Sequence, residues 1–272
     1  PDALTPWKAE SLFRFYVSTA NYMNRSLDEE RFHAAAQDEH IERILRALAK
    51  STTGPEIRPQ TRAELTAFLE GLPRRYVLAH TPEEIAIHFQ MARELKKSDV
   101  RLRLSKRGHW YRLILVTTDR PSLFARISGA LAAWGMHIWK AEAFANGAGT
   151  VVDTFHFTDP NRTLELNPDE RKRLEENLIS VVSGETPLET LLRGRAATQA
   201  LRPPKISVPT EIRFDDSSSS HSTLVEIVTQ DRPGLLYRLS STLAQTGCNI
   251  EVALIDTEGQ RAVDTFYLTV PG

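Results

Sequence analysis

Asp119-Arg120-Pro121 and Asp231-Arg232-Pro233 decide how this chain is read. Each tripeptide closes an apolar run, Leu113 to Thr118 in the first case and Leu224 to Thr229 in the second. Each opens a helical pattern leading to a segment that ends Asp-Thr-Phe, at Asp153-Thr154-Phe155 and Asp264-Thr265-Phe266. The tripeptides lie 112 residues apart and the Asp-Thr-Phe segments 111, so one residue has been lost between them. About 19 of roughly 45 aligned positions are identical, too many for unrelated strands that share a pattern. The chain contains a duplicated βαββ unit.

Around the first copy, Val100 to Leu104 alternates, Arg107-Gly108-His109 turns, and Trp110 to Thr118 alternates before becoming apolar, which predicts a hairpin leading into a sheet. Leu123, Phe124, Ile127, Leu131 and Trp134 mark the buried face of the following helix, stopped by Gly135. Two strands, His137 to Ala145 and Thr150 to Thr158, follow, joined at Asn146-Gly147, a short hairpin signal. Asn167-Pro168-Asp169-Glu170 starts another helix, Thr186-Pro187 restarts one after Gly184, and Glu211 to Phe214 has the look of a returning strand. Asp215 to Ser220 is a polar linker. The second copy begins near Ser222 and ends with its last strand, so it is expected to be incomplete, with an open edge or an uncovered sheet face.

Residues 1 to about 99 are expected to be helical. Thr5-Pro6 opens one helix, with Leu12, Phe15, Tyr16 and Met23 at helical spacing; a second runs from about Leu27 to Lys50 and is broken at Gly54-Pro55. A short helix spans about Ala63 to Leu69, and the capping box Thr81-Pro82-Glu83-Glu84 starts one through about Lys97.

The 272 residues have room for about two domains. A net charge of −1 argues against a general nucleic-acid or anionic-membrane binder. One cysteine, Cys248, excludes an intrachain disulfide and is expected to be a small buried hydrophobe. No apolar run reaches a membrane span, so a cytoplasmic location is the default. The chain begins at Pro1, and it is expected to be a piece of something longer.

The turn Asp231 to Leu235 carries the chemistry. Pro233 fits the first helical position, and the free N–H groups that follow, with the helix dipole, suit a carboxylate. Gly234 leaves the backbone open to a ligand, Asp231 can cap the helix or hold an ammonium group, and Asn249 offers a donor and an acceptor. Together these suit a zwitterionic amino acid; a capped helix with no ligand is the other reading. In the first copy Ser122 stands for Gly234 and His137 for Asn249. If one copy binds, the second is expected to, with the first alternatively supplying the facing wall.

Strand, Asp-Arg-Pro-Gly-Leu, helix, Gly247-Cys248-Asn249-Ile250, strand, hairpin and the Val263-Asp264-Thr265-Phe266 strand resemble the ACT domain, a βαββαβ amino-acid-binding module. The tandem copies, with Leu4-Thr5-Pro6-Trp7-Lys8, Phe68 to Tyr76 and His80 to Ile85, resemble the C-terminal part of the bifunctional PII uridylyltransferase/uridylyl-removing enzymes. The resemblance implies an α+β fold: a helical segment (1–99), a ferredoxin-like ACT domain with a helical extension (100–216) and a truncated second ACT domain (217–272). It implies glutamine as effector, the PII protein as partner of the intact enzyme, and ACT–ACT pairing within or between chains. It carries over to Asp231, Arg232, Pro233, Gly234, Leu235, Asn249 and Ile250, and to Asp119, Arg120 and Pro121, while Ser122 and His137 depart from the pattern.

Catalysis is not expected here. No Asp-x-Asp occurs to hold two cations on a triphosphate, and no histidine precedes an aspartate as a metal-dependent hydrolase of that family requires. No cofactor is expected; magnesium is implied only for a catalytic domain outside this chain. His80 and His88 are expected to be structural or solvent-facing, and the Arg193, Arg195, Arg202 and Lys205 group a solvated connector. A ligand-free oligomerisation or docking module is the competing function.

Overall fold

The computed structural model describes residues 38–51, 59–95, 98–195, 207–216 and 222–270. The expected helix from Thr5 to Met23, the start of the second helix, the Gly54-Pro55 break, Arg202 and Lys205 of the connector, and Ser217 to Ser220 lie outside them.

Among the described residues four helices come first: α1 (Asp38–Ser51), α2 (Pro59–Leu69), α3 (Arg74–Ala79) and α4 (Pro82–Glu94). Ile41, Ile44, Leu45 and Leu48 recur at helical spacing and bury one face of α1. The capping box forms at α4, where Glu84 N–H donates to Thr81 Oγ1 and Thr81 N–H to Glu84 Oε2. Helix α3 was not legible in the sequence; Pro73 is its N-cap, with no side-chain capping bond, and Arg75, Tyr76 and Val77 are buried.

The repeat follows, as β1 (Val100–Arg107), β2 (Trp110–Thr118), α5 (Leu123–Ala133), β3 (His137–Ala145) and β4 (Thr150–Thr158), then α6 (Thr163–Leu166), α7 (Pro168–Ser183) and α8 (Leu188–Arg195). The second copy is β5 (Glu211–Asp215), β6 (Thr223–Gln230), α9 (Leu235–Gln245), β7 (Asn249–Glu258) and β8 (Arg261–Thr269). The eight strands of the described residues form one antiparallel sheet, ordered β1-β2-β4-β3-β7-β8-β6-β5. This is the α+β architecture the sequence implied, with the two repeat units side by side.

One assignment changes. The returning strand Glu211 to Phe214 pairs with β6, with Ile212 opposite Ile227 and Phe214 opposite Val225, so it completes the second copy and not the first. The corresponding edge of the first copy is filled by β1, paired along its whole length with β2. Among the described residues the second copy shows no counterpart of α7, whose Leu174, Leu178, Val181 and Val182 are buried in the first. Fully burying one such side chain stabilises by about 1.5–3 kcal/mol. Without that cover Ile212 and Phe214 remain 53% and 70% exposed.

The copies join through β3 and β7, where the equivalent residues Glu142 and Leu254 face each other. Both strands carry a register shift at the same repeat position, between Ile138 and Lys140 and between Ile250 and Val252. Above the sheet α5 packs on α9. A Cβ on Gly129 would come within 2.8 Å of the Tyr237 ring and 2.5 Å of Leu188, so this crossing needs a residue without a side chain. Below the sheet, α1 to α4 cover Ile114, Val116, Phe144, Val252 and Tyr267 in a second core. The helices are latched to the β3–β4 loop: Gly147 N–H donates to Glu70 O at 3.0 Å, and Asn146 Nδ2 to Phe68 O at 2.9 Å. That loop is longer than an Asn-Gly hairpin implies, because Asn146 Oδ1 accepts from Ala148 and Thr150 N–H and closes a four-residue turn.

Candidate functional site

The paired Asp-Arg-Pro segments do not start their helices at proline. Leu235 N–H donates to Arg232 O at 3.0 Å, and Leu123 N–H to Arg120 O at 3.1 Å, so each proline is the second residue of a β-turn. The third position is left-handed, with φ 74° at Gly234 and φ 60° at Ser122, and the helix begins one residue later. The glycine therefore meets a conformational demand first, and Ser122 bears it at a cost of about 1 kcal/mol. Neither helix has a side-chain cap, so Asp119 and Asp231 do not serve that purpose.

The expected partnership within one copy does not form. Asn249 begins β7 at the C-terminal end of α9, and that eleven-residue helix places it about 16 Å from the Asp231 turn. The β3–β7 pairing crosses the copies over instead. Asn249, Cys248 and Ile250 meet the first turn, with Asp119, Arg120, Ser122 and Leu123. His137 meets the second, with Asp231, Arg232, Pro233, Gly234 and Leu235. Pro121 is exposed and lies outside the lining of the first.

The two crossed sites differ in room. At the first turn a cavity of about 500 Å³ opens, whereas about 20 Å³ remains at the second. Their linings differ: Gly71, Asn146 and Gly147 line the first, and His137 lines the second. In the second, His137 Nε2 lies 2.7 Å from Asp231 Oδ2. That hydrogen bond raises the imidazole's pKa against the opposing effect of burial. In the first site the equivalent position is Asn249, which is exposed at the rim. The room thus lies in the copy where the sequence expectation had set Ser122 as an obstacle.

Three further features of the open cavity were missed. Asp153, from the first Asp-Thr-Phe, lines it while only 1% exposed, and neither carboxylate oxygen has a hydrogen-bond partner. Burial, and then the nearby Asp119, push its pKa well up. The repeat of Asp-Thr-Phe was the available signal, since a charged residue in an otherwise apolar strand needs a reason. Gly147 and Gly149 of the latched loop also line the cavity, and Asp119 N–H donates to Gly149 O at 2.8 Å. Cys248 is half-buried at the cavity and not a fully buried hydrophobe. Arg120 is committed elsewhere: its guanidinium donates to Ser183 O at 2.9 Å and pairs with Asp99 at 3.1 Å.

His80 and His88 are buried and structural. Tyr76 OH lies 2.8 Å from His88 Nδ1, and His80 Nδ1 lies 2.8 Å from Tyr76 O. No described helix is long and apolar enough to cross a membrane.

No protein-family model matches the chain. Among curated proteins it is similar to the bifunctional uridylyltransferase/uridylyl-removing enzyme of Ruegeria pomeroyi, 30% identical over 245 residues, covering 84% of this chain and 26% of that enzyme. The enzyme of the same name in Rhodospirillum rubrum is 27% identical over 288 residues, covering 98% and 28%. That of Aliivibrio fischeri is 27% identical over 276 residues, covering 99% and 30%. A solved aspartate kinase from Synechocystis matches with TM-score 0.32 and 15% identity over 60% of this chain and 24% of that one. The chain spans 26–30% of the length of these curated relatives. Nearly its whole length aligns, so the family resemblance first carried by the repeated turns holds: by sequence, this chain is similar to a part of the bifunctional uridylyltransferase/uridylyl-removing enzymes.

Proposed function

We propose that this chain is the amino-acid-sensing part of a uridylyltransferase/uridylyl-removing enzyme, with glutamine as effector and the PII protein as the intact enzyme's partner. The observation that carries the reading is the cavity of about 500 Å³ between the first turn and Asn249, with an unpartnered buried carboxylate on its wall. Its size falls in the range of about 300–1,000 Å³ common to small-molecule pockets. The first turn of α5 suits the effector's carboxylate, and Asp119 and Asn249 at the rim suit its ammonium group. The β3–β4 loop touches both cavity and helical layer, which gives occupancy a route toward segments upstream.

Titration calorimetry of the 272-residue chain with glutamine and other amino acids tests this. Binding should weaken at least about tenfold on Asn249→Ala and stay unchanged on His137→Ala. No heat with any amino acid overturns the reading. A ligand-free docking module is the second reading, favoured by Ile212 and Phe214, exposed at the sheet's outer edge. It requires that millimolar glutamine leave the melting temperature unmoved, since a ligand of the native state must raise it.

A further inference from the structure

We propose that Asp153 selects the ligand of the open cavity, requiring at its own position a group that carries N–H donors and no negative charge; this rests on the amino-acid reading above. Asp153 lies on the face of β4 turned toward α5, 1% exposed, and lines the cavity with both oxygens unpartnered. A buried carboxylate with no partner is costly, and an N–H donor supplied from the cavity offsets that cost. The surrounding charges point the same way. Asp119 and Glu251 also line the cavity, and the guanidinium of its lining cation, Arg120, is bound to Ser183 O and Asp99. A ligand carboxylate at the same depth would meet the two penalties that push the Asp153 carboxyl's pKa up, burial and the charge of Asp119.

In the closed site a donor reaches the turn carboxylate and not the strand carboxyl. Asp264 holds the equivalent strand position, 1% exposed with Oδ1 unpartnered, and the turn carboxylate Asp231 there takes a ring N–H from His137. The first site has Asn249 in place of that histidine, set back at the rim, which leaves room for a donor of another molecule. Of an amino acid's groups, the carboxylate belongs at the α5 terminus and the ammonium at the rim. Asp153 therefore faces the side chain. A side-chain amide fits and a side-chain carboxylate does not.

The test is calorimetry on the whole chain with glutamine, glutamate and glutamate γ-methyl ester, which keeps the carbonyl and loses the N–H donors. Wild type should bind glutamine at least about tenfold tighter than either of the others. Asp153→Asn presents an NH₂ to the side chain, so it should weaken glutamine about tenfold and bring the glutamine-to-glutamate ratio close to one. Asp264→Asn, on the closed site, should leave both affinities unchanged. An unchanged ratio in Asp153→Asn overturns the assignment and leaves amino-acid binding standing. Equal weakening of glutamine and glutamate also overturns it, because Asp153 would then hold a group common to both. The ester binding wild type as well as glutamine does overturns it without any variant. Failure of wild type to bind any amino acid removes both this assignment and the reading beneath it.

Discussion

Ser128 and Ser240 occupy the same position in the two copies, and their Oγ atoms meet at 3.2 Å between α5 and α9. Each hydroxyl also donates back to its own helix, Ser128 to Phe124 O and Ser240 to Leu236 O, both at a separation of four residues. The contact lies above the sheet from Glu142 opposite Leu254. Two equivalent pairs, one on each layer, define an approximate two-fold relation between the copies. That relation is what exchanges the partners of the two turns.

Left-handed backbone at the turns can be tested in both directions. Ser122→Gly should raise stability by about 0.5–1 kcal/mol, and Gly234→Ala should lower it by about 1 kcal/mol or more. Chemical denaturation of the two variants measures this; a stabilising Gly234→Ala would show that the turn tolerates a side chain freely.

Burial raises the Asp264 carboxyl well above the usual range, with Asp231 and Asp256 adding to it. A carboxyl with a raised folded pKa costs stability once pH exceeds its ordinary value of 3.8. Asp264→Asn should therefore raise the melting temperature at pH 7, and the gain should vanish toward pH 3. A lower melting temperature at pH 7 would reveal a partner for this group.

The His137–Asp231 pair works with the opposite sign. A histidine of raised pKa contributes stability in full below its ordinary 6.5, and loses it as pH rises through the folded value. His137→Asn makes the second site resemble the first. Its melting temperature should fall below wild type at pH 6 and approach it by pH 9. A difference constant with pH would assign the effect to packing alone.

His156 is pressed between Trp110 and Trp139, with ring centroids at 5.0 and 5.3 Å. Burial, then Lys140, lowers its pKa to about 4. Because the unfolded chain takes up this proton first, stability should fall as pH drops from 6.5 toward 4. His156→Phe should flatten that part of the melting profile.

Gly71 meets the cavity loop directly. A Cβ there would lie 2.7 Å from Gly147 N and 2.9 Å from its Cα, on a backbone at φ 78°. Gly71→Ala should cost on the order of 2 kcal/mol or more and speed hydrogen exchange in α4 and the β3–β4 loop together. Exchange confined to the loop would show that the helical layer holds without this latch.

The repeat, the strands and most helix boundaries were legible because apolar periodicity and capping residues act over a few positions, as at Thr81-Pro82-Glu83-Glu84 and Asn167-Pro168. The turn residues were legible too, but not the reason for Gly234. Proline fits both a first helical position and the second position of a turn, and only the Leu235 N–H to Arg232 O bond distinguishes them. The placement of Glu211 to Asp215 was not legible, since an isolated edge strand carries no mark of which sheet edge it joins.

By itself, the sequence determined that the chain holds two copies of one βαββ unit, where their turns fall, and that His137 replaces Asn249 between them. Tertiary structure alone decided that the copies trade partners. Strand β3 pairs antiparallel with β7, so Asn249 reaches the Asp119 turn and His137 the Asp231 turn. One imidazole meets one carboxylate in the narrow second site, and the buried Asp153 stands on the wall of the open one. Such pairings join residues about a hundred positions apart, and no local pattern encodes them.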